Sequence, residues 1–177
     1  MGKQSNTGSF SPSIGGGREA SIAIDLGGTL IKIGLLKSGQ LVDRIEIKAQ
    51  SASGLKGQLP ELEQTIWQIL FANQLHEEDV LGIGFSFAGL VDSSVNQILS
   101  TNQKYDDGPE TDLVGWARAK WNWPLFAEND ARMALLGEWQ FGAGKGHSDL
   151  VIVTLGTGIG SEVSGLKMFA FQQLTVY

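Results

Sequence analysis

The sequence predicts an α/β domain in which three leading antiparallel strands enter a mixed sheet flanked by helices. Two observations carry this. Three runs rich in β-branched and apolar residues follow one another from residue 21, separated by glycine-bearing turns, and from residue 60 onward helical periodicity alternates with apolar strands. Ser21–Leu26 and Leu30–Lys37 are joined by Gly27-Gly28-Thr29, and Ser38-Gly39 leads into a third strand over Gln40–Ala49. Pro60, followed by Glu61 and Glu63 at the positive end, opens a helix whose buried stripe is Leu62, Ile66, Ile69 and Leu70. That helix fades over Asn73–His76.

Val80–Ser86 has little polar content, as expected of a central strand. Beyond Gly89 the chain reads as a long irregular section carrying Asp92, Asn96, Asn102, Asp106, Asp107 and Pro109, and a loop of that length in a compact domain is usually functional. Asp112–Lys120 is predicted helical, Pro124–Ala127 a short strand, Asp130–Phe141 a helix, and Leu150–Leu155 the last strand.

Composition narrows the function. The 177 residues are 42% hydrophobic and 18% charged, ordinary values for a globular protein. A formal charge of −6 without a Lys/Arg cluster argues against nucleic acid as a partner. The absence of cysteine excludes disulfides, a thiol nucleophile and any zinc site with Cys ligands. No apolar run is long enough for a membrane helix, so no membrane partner is expected and the expected compartment is cytoplasmic. Residues 1–20, rich in Gly, Ser and Asn, read as a disordered leader rather than a secretory signal, and Asn6 breaks a myristoylation pattern.

Four segments carry chemistry. In Asp25-Leu26-Gly27-Gly28-Thr29, adjacent glycines can adopt positive φ and let backbone N–H groups close on a ligand, with a carboxylate before them and a hydroxyl after them, a set suited to phosphates and magnesium. Leu155-Gly156-Thr157-Gly158-Ile159-Gly160 repeats the idea after a later strand. Between them stand Phe85-Ser86-Phe87-Ala88-Gly89-Leu90-Val91-Asp92 and Glu128-Asn129-Asp130-Ala131 through Gly137-Glu138. Asp130, at a strand-to-helix junction, can take a proton from an acceptor hydroxyl, and Asn129 offers both donor and acceptor. Read alone, Asp130 is a helix N-cap and Gly27-Gly28 a hairpin turn. Gly142-Ala143-Gly144-Lys145-Gly146 is no P-loop, because Trp139 and Gly146 stand where the pattern requires Gly and Ser or Thr. His76 and His147 read as solvated, and Trp116, Trp121, Trp123 and Trp139 as packing residues, with Trp116 near the presumed pocket.

Taken in order, these four segments resemble the ROK family (repressors, open reading frames and sugar kinases) of the actin-like, hexokinase-type ATPases. The resemblance implies a ribonuclease-H-like lobe and ATP-dependent phosphoryl transfer to a hexose or amino-hexose, with ATP and Mg2+ as cofactors and a small-molecule sugar as partner. By position, Gly27, Gly28 and Thr29 match a first phosphate loop with Asp25 on the magnesium side, through water. Gly156, Thr157 and Gly158 match a second phosphate loop. Asn129 matches a sugar ligand, Asp130 the catalytic base, and Gly89 and Asn102 line the sugar pocket. The implied organisation is a leader (1–20), an N-terminal actin-like lobe (21–147), the opening strand and loop of a second lobe (148–160) and an atypical tail (161–177).

After Gly160 the pattern departs from the family, which continues with a second phosphate-side hairpin, a Gly-Glu-Ile-Gly-His segment and a cysteine-rich zinc motif. The tail reads as neither that hairpin nor a capped helix, and a frameshift or premature stop is the expected cause. With the second lobe largely missing, the expectations are weak or absent kinase activity and self-association through an uncovered Leu150–Leu155 strand and apolar tail. Two rival functions follow, a ROK-type sugar-responsive transcription regulator and a non-catalytic truncated remnant. Twenty glycine-rich residues before the first strand are too few for a helix-turn-helix.

Overall fold

The computed structural model describes residues 19–155 and 159–164. The leader before Glu19, the Gly156-Thr157-Gly158 loop and the tail from Gly165 lie outside the described residues. A five-stranded mixed sheet has the order β3-β2-β1-β4-β7, with β1 (Ala20–Leu26), β2 (Leu30–Lys37) and β3 (Gln40–Lys48) forming an antiparallel meander. The β2–β3 turn is built on left-handed Ser38 (φ 51°) and Gly39 (φ 76°), the conformation that matches strand twist in a two-residue hairpin. β4 (Val80–Phe87) pairs parallel with β1, and β7 (Leu125–Asn129) pairs parallel with β4, so β4 is central as its apolar content predicts.

α1 (Gly54–Ala72) packs on the sheet through Leu55, Leu62, Ile66, Ile69 and Leu70, each no more than 1% exposed. Truncating any one of these to alanine costs about 2–5 kcal/mol. The helix begins six residues before Pro60, which lies inside it rather than opening it. Its start is set from elsewhere in the chain. The Asp107 carboxylate accepts from the N–H groups of Leu55 and Lys56, satisfying donors that the first turn leaves free. Glu61 and Glu63 therefore serve contacts within the helix and to its neighbour. Glu61 accepts from Gln58 and Gln50, while Glu63 pairs with Lys120 at 2.8 Å and accepts from the Trp116 indole at 2.8 Å.

The section after Gly89 is not irregular throughout. β5 (Gly89–Asp92) and β6 (Gln97–Thr101) form an antiparallel hairpin, because Asp92 accepts from the backbone and hydroxyl of Ser94 and Asn96 turns the chain in a left-handed conformation (φ 57°). α2 (Leu113–Trp121) is capped by Asp112, whose carboxylate accepts from Gly115 N–H at 2.7 Å. Its tryptophans are packing residues, as expected: Trp121 stacks on Trp123 at 4.9 Å and meets Trp116 edge-on at 5.3 Å. Trp116 thus belongs to this cluster and to Glu63, not to the sugar-side residues. β7 runs to Asn129, two residues beyond the predicted end, and α3 (Asp130–Phe141) follows without a loop.

Gly142 to His147 is tied to the end of α3. Glu138 accepts from Gly142, Ala143 and Gly144, and the Trp139 indole donates to the His147 carbonyl. β8 (Leu150–Leu155) pairs antiparallel with β9 (Ile159–Ser164) as a separate two-stranded sheet against α3. Regular pairing therefore continues past Gly160, where the sequence pattern was read as broken. No helix among the described residues is long and apolar enough to cross a membrane.

Replacing Asp107 by alanine should destabilise the chain by about 1–2 kcal/mol in urea unfolding, the cost of a lost helix cap, whereas Asp106→Ala should change it by less than about 0.5 kcal/mol.

Candidate active site

Parallel pairing brings the candidate residues to one end of the sheet. Asp25 stands opposite Ser86, and Phe87 opposite Asn129, so the C-terminal ends of β1, β4 and β7 are neighbours. The Asp25 carboxylate accepts from Ser86 Oγ at 3.3 Å and pairs with Lys32 Nζ at 3.2 Å, both partners of the ion pair being about half exposed. Asp130 opens α3 next door. Burial is the main reason its carboxyl is pushed above the ordinary carboxylate range, and the Asp25 charge adds to the rise. The residue is nonetheless exposed overall, so the carboxyl is reachable from solvent.

The junction separates the two jobs that a bland reading of Asp130 would merge. Asn129, not Asp130, is the N-cap: its Oδ1 accepts from Arg132 N–H at 3.2 Å. Its amide donates to the Gly89 carbonyl at 2.9 Å and to Asp130 Oδ1 at 3.1 Å. Asn102 donates to the preceding carbonyl, that of Ala88, at 3.4 Å. Gly89, Asn102 and Asn129, predicted to line one pocket, are thus joined through two consecutive peptide groups. Gly89 must be glycine here, since a Cβ would strike the Ser100 carbonyl and the Phe87 ring.

At the β1–β2 turn, neither Gly27 nor Gly28 takes the positive φ that the sequence suggested. What they supply is space: a Cβ on Gly27 would collide with the Leu30 carbonyl, and one on Gly28 with the Lys104 side chain. Gly27 is held by Tyr105, whose hydroxyl donates to its carbonyl at 3.2 Å. Tyr105 is 2% exposed and burial pushes its pKa up to about 12, so it stays a neutral donor at physiological pH. Thr29 is exposed beside this turn. Gly156, Thr157 and Gly158 lie outside the described residues.

Sequence reasoning missed Lys104, Tyr105 and the capping role of Asp107. No local pattern marks them, because each acts on an element far away in the chain. A cavity of about 240 Å3 takes Glu128 and Arg132 from the same junction, but not Asp130. Glu128 and Arg132 are themselves paired at 3.3 Å.

No cluster of three or more His, Cys, Asp or Glu among the described residues could hold a metal unaided. Magnesium needs less, keeping several waters and taking one or two carboxylates beside phosphate oxygens. Asp25, next to a side-chain-free turn, fits that demand.

An α/β lobe with a leading meander, parallel strand ends and a carboxylate at the junction defines an actin-like, ribonuclease-H-like domain. The ROK family model matches residues 21–165, and the chain belongs to that family. It is 32% identical over 143 residues to a glucokinase of Thermotoga maritima, covering 80% of this chain and 43% of the relative. It is 36% identical over 81 residues to a xylose repressor of Bacillus subtilis, covering 46% of this chain and 20% of the relative. Among solved structures, the ROK glucokinase of Streptomyces griseus in complex with glucose and AMPPNP superposes with a TM-score of 0.66 at 30% identity, over 84% of this chain and 45% of that one. The chain spans less than half the length of the glucokinases it matches.

Asp130 should weaken the fold once ionised. Its folded pKa lies above the value of 3.8 for an unperturbed Asp, so its penalty is absent below about pH 3.8, grows between there and the folded value, and is constant above it. Asp130→Asn should therefore raise Tm at pH 7, and the gain should vanish in melts run below about pH 3.8.

Proposed function

We propose that this chain forms the sugar-side and first phosphate-side wall of an ATP-dependent hexose or amino-hexose kinase. The observation that supports it best is the convergence of Gly89, Asn102 and Asn129 through the Ala88 and Gly89 carbonyls, directly beside a carboxylate with a raised pKa. The glucokinase relatives point to the same substrate class.

In this reading a sugar hydroxyl approaches Asp130, which accepts its proton as the oxygen attacks the terminal phosphorus of ATP. Asn129 holds Asp130 in place through its amide, and Oδ1 keeps a second lone pair for a sugar hydroxyl. The backbone at Gly27 and Gly28 lies close to the phosphates, and Thr29 offers its hydroxyl. Gly156, Thr157 and Gly158 supply the second phosphate loop. Asp25 would hold magnesium through water, and the ion would neutralise charge on the phosphate oxygens. Phosphoryl transfer depends on groups from both sides of a cleft, so these 177 residues alone are expected to turn over weakly or not at all.

Sugar binding without transfer, as in a regulator, is the second reading, favoured by the likeness to xylose repressors. The two separate on Asp130. In a sensitive single-turnover assay with MgATP and a panel of hexoses, Asp130→Asn should cut any transfer by at least about 100-fold, while calorimetric hexose affinity falls by no more than about threefold. Transfer unchanged by the substitution rules out the kinase assignment of this carboxylate. Transfer that is detectable in the wild type and lost in Asp130→Asn excludes the regulator reading.

A further inference from the structure

Lys104 lies between two residues in left-handed conformations, Gln103 and Tyr105, each with φ 59°. Non-glycine residues pay about 1 kcal/mol or more for that conformation, so the surroundings must enforce it. Tyr105 does so. Its ring is buried beside Phe87 at 6.4 Å, its N–H donates to the Ser51 carbonyl at 3.2 Å, and its hydroxyl holds Gly27. The outcome is that the Lys104 side chain, from Cδ to Nζ, lies over the backbone of Gly28, in space that only a glycine leaves open.

Among the described residues Lys104 makes no ion pair, and the nearby carboxylates are engaged elsewhere. Asp25 pairs with Lys32, Asp107 caps α1, and Asp106 accepts from Thr101. A cation without an ion pair, held over a glycine that carries no side chain to cover it, is a receptor for an anion of the phosphate type.

We propose that Lys104 is a phosphate-binding residue, delivered to the glycine turn by the same loop that carries Asn102. Its ligand is the polyphosphate chain of the nucleoside triphosphate. This deepens the kinase reading and rests on it. It also makes one loop touch both substrates, with Asn102 on the sugar side and Lys104 on the phosphate side. A merely solvated lysine, the plainer alternative, would leave anion affinity unaltered when removed.

Calorimetric titration of the 177-residue chain with MgATP, magnesium tripolyphosphate and adenosine tests this. Lys104→Gln should weaken MgATP and tripolyphosphate alike by roughly five- to tenfold, and Lys104→Arg should restore most of the affinity. Adenosine binding should not change. Lys37→Gln, at the opposite end of β2, removes the same charge and should behave as wild type. Wild-type affinity for both phosphates in Lys104→Gln overturns this assignment and leaves the kinase reading standing. A wild-type chain that binds neither phosphate overturns both.

Discussion

The site depends on the parallel pairing of β1 with β4 and of β4 with β7. Parallel strands end together, so their last side chains share one edge, and the residues that follow leave the sheet over the same crevice. Asp25 opposite Ser86, and Phe87 opposite Asn129, is the register that produces this. A slip of one residue in either pair would send Asp25 or Asn129 to the other face of the sheet. The hydrophobic alternation of β1, in which Ala20, Ile22, Ile24 and Leu26 are all buried, prevents such a slip by leaving Asp25 on the opposite side from the core. The placement of the candidate residues is thus fixed by packing, and the polar residues need only occupy the places that packing assigns.

Those places are not comfortable. Asp25 and Asp130 are like charges near enough for one to raise the pKa of the other. Lys32 and the Ser86 hydroxyl offset the charge of Asp25, whereas Asp130 has only its own helix start and the Asn129 amide. The asymmetry gives the two carboxylates different chemistry. Asp25 has a cation and a hydroxyl as partners, while the Asp130 carboxyl is held above the ordinary range by burial first and by the Asp25 charge second. Two identical side chains are differentiated by where the fold places them, burial acting first and neighbouring charge second.

Much of this was legible in the sequence, because the strands, the α1 stripe and the strand-to-helix step at Asn129 and Asp130 are local patterns. The three meander strands needed only alternation and glycine-bearing turns. What sequence could not show was contact at a distance. The start of α1 was misplaced at Pro60 because a proline is a good local signal, while the cap comes from Asp107, about fifty residues on. The β5–β6 hairpin was read as loop because four and five residues are too short for periodicity to register. The sequence allows Gly27 and Gly28 either positive φ or close approach through the missing Cβ; the second is what the structure uses, with the Leu30 carbonyl and the distant Lys104 in that space.

A glycine required for φ can be satisfied anywhere the backbone bends, and carries no information about a ligand. A glycine required for space implies something that must come close. At Gly27 the near group is a carbonyl of the same hairpin, which is structural. At Gly28 it is the flexible end of a lysine, which is displaced at little cost. The three atoms nearest to a Cβ at Gly28 all belong to the Lys104 side chain, which can move aside. Tyr105 adds the remaining element, since its bond to the Gly27 carbonyl ties the turn to the loop bearing Asn102.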